Sequence, residues 1–184
     1  MTTATLPMLV EPEDLLRMPD GDRYELIDGV PTEKNMGAKS DWIGASLIGS
    51  LQPFCRAHKL GFVFASQTGY RCFPNKPRQL RKPDVSFVAT GRFPGDQPPE
   101  GDIEIAPDLA VEVVSPNDGY EEIQVRLADY QSARARLIWV ISPKTRSVMV
   151  RRLDGTCAEL HEAGELSGED VIPGFTCKVA ELFV

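Results

Sequence analysis

The sequence has only two histidines in 184 residues, His58 and His161, and each stands alone. Its four cysteines, Cys55, Cys72, Cys157 and Cys177, form no C-x-x-C pair. Neither a zinc site nor a Ser-His-Asp triad therefore has support. Scattered cysteines of this kind read as buried thiols in a reducing compartment, so a cytoplasmic location is expected. No run approaches the ~20 apolar residues of a membrane helix, and no membrane partner is expected. The start, M-T-T-A-T-L-P-M-L-V, lacks the basic region and long apolar stretch of a signal peptide. The glycines make no phosphate-cradling loop of the P-loop or dinucleotide type. Repeats, low complexity and a credible linker are also missing, which makes 1–184 one domain, long enough to bury a core without staples.

What is present is an ordinary globular balance, 42% apolar and 26% charged residues, with a net charge of −7. That sum argues against a protein that coats nucleic acid non-specifically. The distribution is less even. Residues 70–95 hold six basic side chains and one acid, Asp84, whereas residues 96–122 hold nine acids and neither Lys nor Arg. A basic loop beside an acidic cluster suits a site that holds phosphate and a cation together, although either run alone reads as a solvated surface.

The chain is organised around D-L-A-V-E-V-V-S-P at 108–116. Residues 109–114 form an apolar, β-branched run broken by one carboxylate, Glu112, and this composition predicts a strand buried on both faces. An ionised Glu there is costly unless something binds it. In chain order, a short helix is expected over 11–18, then R-Y-E-L-I-D-G-V-P as a strand with a turn at Asp28-Gly29 and a return strand over 32–35. Ile43, Leu47, Ile48, Leu51 and Phe54 recur at helical spacing over 40–59, with Ser40 or Asp41 as cap and Gly61 as stop. A strand pair is expected from 62–65 and 70–73. After the basic loop N-K-P-R-Q-L-R-K-P, D-V-S-F-V-A begins another strand at Asp84. Residues 91–107 read as a surface loop, 121–133 as a helix, and 137–141 and 146–153 as strands joined by a turn.

Two strands thus each carry one acid among apolar neighbours, Asp84 after Pro83 and Glu112 further on. Ala110, Glu112 and Val114 share a face by strand alternation. If the strands are neighbours, both carboxylates can converge on a hard cation such as Mg²⁺, which takes oxygen ligands and keeps several waters. Plainer readings exist for each acid alone. Asp84 can make a local turn bond, and Glu112 can pair with Arg126 as a structural ion pair.

P-D-V-S-F-V followed by D-L-A-V-E-V-V-S-P, with R-Y-E-L-I-D-G-V upstream and R-L-A-D-Y downstream, resembles the Uma-type putative restriction endonucleases. These are small bacterial proteins of the PD-(D/E)XK nuclease superfamily, and the resemblance covers nearly the whole chain. It implies an α/β (α+β) fold, a mixed central β-sheet flanked by helices with a restriction-endonuclease-like core. It also implies Mg²⁺- or Mn²⁺-dependent hydrolysis of DNA. Asp84 would correspond to the metal-binding aspartate and Glu112 to the acid of the E-x-K element, with the Val113 carbonyl as a further ligand and Glu25 as an upstream assistant. The third position of E-x-K is Val114. The family instead supplies lysine from the next helix, in a K-L-x-x-Y pattern that here reads R-L-A-D-Y, so Arg126 stands where lysine is expected. A guanidinium stays charged and grips phosphate oxygens, but it does not lend itself to activating water as a desolvated lysine does. Arg126 and Tyr130, four apart, share a helix face. Arg81, Lys82 and Tyr130 are the expected nucleic-acid contacts, DNA the expected partner, and a homodimer is compatible with cutting two strands. The alternative is a catalytically impaired nuclease-fold protein that binds nucleic acid or a protein partner. A purely structural partner protein is a third reading.

Overall fold

A computed structural model describes residues 9–34 and 37–184. A one-turn helix, α1 (Pro12–Leu15), leads to a hairpin of β1 (Tyr24–Ile27) and β2 (Val30–Glu33). Asp28 and Gly29 both have positive φ, 50° and 87°, which is the backbone of a two-residue turn matched to strand twist. The turn sets Ile27 opposite Val30 and hence Glu25 opposite Thr32. The expected helix over 11–18 shrinks to this single turn. The return strand starts earlier than expected and ends at Glu33; Asn35 lies outside the described residues.

The long helix α2 (Ala38–Ala57) starts at Gly37 with no side-chain cap, so neither Ser40 nor Asp41 caps it; Ser40 instead lies within the helix. Its periodic residues Ile43, Leu47 and Leu51 are fully buried, each contributing about 1.5–3 kcal/mol by removal from water. Then come β3 (Gly61–Ala65), β4 (Val85–Ala89), β5 (Leu109–Val113), α3 (Tyr120–Ser132), β6 (Leu137–Ser142), β7 (Ser147–Arg152), β8 (Cys157–His161), β9 (Glu165–Ser167) and β10 (Thr176–Lys178), with a closing 3₁₀ turn at Val179–Phe183.

Strands β3 to β8 lie in chain order in one six-stranded sheet, antiparallel except for the β5–β6 pair. Helix α3 is the crossover that such a parallel pair requires. Every residue of β5 is buried. Leu109, Val111 and Val113 join Ile43, Leu47, Trp139 and the C-terminal Phe175 on one face, while Ala110 packs with Leu127, Tyr130 and Ile138 on the other. Alternation therefore brings Glu112 up on the α3 side. In β4, Val85 and Phe87 face α2, so Asp84, just ahead of the strand, falls on the α3 side with Ser86 and Val88.

The expected pairing of 62–65 with 70–73 does not form. Strand β3 pairs with β4, Phe62 opposite Val88, while Tyr70 makes only isolated bridges to Arg81 and Ile103. Pro74 and Pro77 lack the donors a continuous ladder needs. The basic loop instead bridges to β1, with Leu26 and Leu80 exchanging both backbone hydrogen bonds at 3.0 Å. Among the described residues no helix is long and apolar enough to cross a membrane.

Candidate active site

Asp84 is pinned across the β4–β5 step. Its amide donates to the Val111 carbonyl at 2.9 Å, and its Oδ2 accepts from the Val113 amide at 2.6 Å. The neighbouring strand thus fixes the main chain through Val111 and the side chain through Val113. Among the described residues Oδ1 accepts no well-aligned hydrogen bond, and it lies 2.7 Å from Lys34 Nζ. Glu112 reaches the same place from β5. Its Oε1 accepts from the Tyr130 hydroxyl at 2.6 Å, and its Oε2, also without an aligned donor, lies 3.5 Å from Arg126 Nη1 and 3.9 Å from Lys34 Nζ.

Helix α3 delivers Arg126 and Tyr130 four residues apart, so both meet Glu112. Asp118, in the turn that ends the S-P-N-D run, accepts from the Ser115 amide at 2.7 Å and lies 3.3 Å from Arg126 Nη1, aiming the guanidinium. Burial, and secondarily the nearby Asp84 charge, pushes the Glu112 carboxyl up to about 7 against the pull of Lys34 and Arg126. Tyr130 sits well above its usual range for the same reasons, burial first and Glu112 next. For Lys34 burial works downward, yet Glu112, Asp84 and Glu25 outweigh it and raise the group.

Glu25 is buried beside this pair but fully engaged elsewhere. Its Oε1 accepts from the Lys82 amide at 2.6 Å and its Oε2 lies 3.1 Å from Arg81 Nη1. Arg81 is also turned inward, its Nε donating to Asp129 Oδ2 at 2.8 Å, and Lys82 Nζ donates to the Asp22 carbonyl at 2.7 Å. Arg81, Lys82 and Tyr130, expected as nucleic-acid contacts, are all buried as the chain is folded. The Val113 amide is committed to Asp84.

Three functional neighbours escaped the sequence reading. Lys34 follows the last paired residue of β2, and the Asp28-Gly29 turn places it on the face of Thr32 and Glu25; that register was the signal. Asp129 gathers Lys76, Gln79 and Arg81, each at 2.8 Å, and so clamps the basic loop to α3. Gln79 also accepts from the Asp28 amide at 2.8 Å, tying that loop to the hairpin turn.

A cleft of about 460 Å³ adjoins the pair, lined by Glu25, Glu33, Asp118, Glu121 and Glu122 against Arg81 and Arg126. Among the described residues no group of three or more His, Cys, Asp or Glu is arranged to hold a metal. Two carboxylates whose buried oxygens both face Lys34 Nζ nonetheless fit a hard cation that takes its place and retains waters.

A family model described as "Putative restriction endonuclease", Uma2, matches residues 12–180. Among solved structures, the chain is similar to a protein from Anabaena variabilis described as a putative nuclease belonging to DUF820, with a TM-score of 0.80 and 17% identity over 96% of this chain and 98% of that one. At that identity the likeness shows a shared fold. No curated protein matches the chain. With a family model spanning nearly its whole length and the fold of a nuclease-like protein, the chain belongs to the Uma2 family of putative restriction endonucleases.

Proposed function

We propose that this protein is a Mg²⁺- or Mn²⁺-dependent endonuclease that hydrolyses phosphodiester bonds of DNA, with Asp84 and Glu112 as the metal-holding pair. The observation that carries this reading is their convergence from neighbouring strands, each with one oxygen fixed by the protein and one that has no hydrogen bond among the described residues. The Val113 carbonyl would be a further ligand. The chemistry a cation supplies there is a more acidic bound water and shielding of phosphate charge.

The chain's own groups do the positioning. The Val111 and Val113 backbone holds Asp84, and Tyr130 holds Glu112. Arg126 keeps its charge at any working pH and is set by Asp118 to meet a phosphate oxygen or developing negative charge. Glu25 assists by fixing Arg81 and the Lys82 amide, which form the wall beside the pair. Cutting both strands of a duplex in one encounter asks for two such sites, hence a homodimer.

A second reading, a nuclease-fold protein that binds nucleic acid or a protein partner without cutting, is favoured by two observations: Lys34 lies between the acids, and Arg126 replaces the expected helix lysine. Cleavage of plasmid and short duplex DNA with Mg²⁺ or Mn²⁺, beside Asp84→Ala, decides between them. Cation-dependent cuts that vanish in the variant are expected. A folded protein that binds DNA with steep salt dependence and cuts with neither metal would select the second reading.

A further inference from the structure

We propose that Lys34 is a tethered counter-cation that competes with the divalent metal for Asp84 and Glu112, so that metal enters by displacing an ammonium group. The inference rests on the metal-site reading above but makes a separate claim about affinity. Lys34 Nζ lies 2.7 Å from Asp84 Oδ1 and 3.9 Å from Glu112 Oε2, the two oxygens that no aligned donor serves. Its side chain is 9% exposed and donates to the Lys82 carbonyl, a neutral anchor that leaves its charge for the acids. Two ionised carboxylates this deeply buried repel each other unless a cation stands between them, and Lys34 is placed to be that cation.

A lysine suits the task because its charge is a compact point on a flexible stem. It follows the end of β2 and keeps one backbone bond there, its amide to the Arg23 carbonyl at 3.0 Å. An opening of about 170 Å³, lined by Lys34, Asp22, Asp41 and Lys82 among others, gives the ammonium a polar place to move into. A divalent ion and the ammonium cannot share the pair without strong repulsion, so the apparent metal affinity is reduced by the work of displacing Lys34.

The test is calorimetric titration of Mn²⁺ into the full chain, into Lys34→Met and into Lys34→Gln, and into a counterpart of each that also carries Asp84→Asn. Both single variants are expected to bind Mn²⁺ about tenfold tighter or more than the parent, with binding lost on Asp84→Asn. Should a variant be unfolded without metal, regain of its far-ultraviolet circular dichroism at Mn²⁺ levels below those the parent needs is the same result. Asp84-dependent binding that is no tighter in either Lys34 variant overturns this inference and leaves the metal site standing. Absence of Asp84-dependent binding in every protein overturns both. Variants that stay unfolded in excess Mn²⁺ also overturn it, because the metal then fails to replace the ammonium.

Discussion

Glu112 faces one neutral hydroxyl donor, Tyr130, and two cations, Arg126 and Lys34. The neighbouring cluster repeats this economy, since Asp129 alone answers Lys76, Gln79 and Arg81. Removing one partner from such a set leaves the others charged and buried, which costs more than the pair was worth. Asp129→Ala is therefore expected to lower stability by about 3–5 kcal/mol in urea unfolding, through release of the basic loop. A loss below 1 kcal/mol would mean that Arg81 finds another partner. Arg126→Lys tests the departure from the family pattern: a lysine there can be desolvated into a helper of water activation, so faster single-turnover cleavage is expected. An unchanged rate would show that arginine suffices.

The hairpin of β1 and β2 carries the buried Glu25 and leads directly into Lys34, and it depends on a turn that few residues can make. Gly29 has φ 87°, and a Cβ there would lie 2.9 Å from the Arg78 side chain. Gly29→Val is expected to cost about 1–2 kcal/mol for the left-handed backbone alone, read as a lowered urea midpoint. A shift of Lys34 away from the acids should accompany it. On the opposite face, Leu47→Ala should cost about 2–5 kcal/mol, because it leaves a cavity between Ile43 and Leu51 where α2 packs on the sheet. Strands β4 and β5, helix α3 and the two acids were all legible in the sequence, since apolar runs and a periodic helix announce themselves by burial alone. The turn at Asp28-Gly29 was legible too. Its consequence for Lys34 was not drawn, because a lysine past the end of a short strand ordinarily faces water. Tyr70 to Phe73 misled for the opposite reason. Its residues suit a strand, but the prolines that follow deny it a ladder and leave isolated bridges.

Across the whole molecule the charge is −7, and the cleft beside the acid pair concentrates it, with five carboxylates against two arginines. Such a surface repels a polyanion unless a cation intervenes. Fluorescence anisotropy should therefore show weak DNA binding in chelator and tighter binding with Mg²⁺, most plainly at low salt. Equal affinity in both conditions would place the DNA on another surface. The family, the fold and the facing carboxylates meet in one claim, that Asp84 and Glu112 form a divalent-cation site. Its most direct measurement is the thermal midpoint of the parent and of Asp84→Asn across an Mn²⁺ titration. The parent should rise by roughly 5–10 °C at a hundredfold excess over its dissociation constant, and the variant should not move. Equal rises in both proteins, or none in the parent, would contradict the claim.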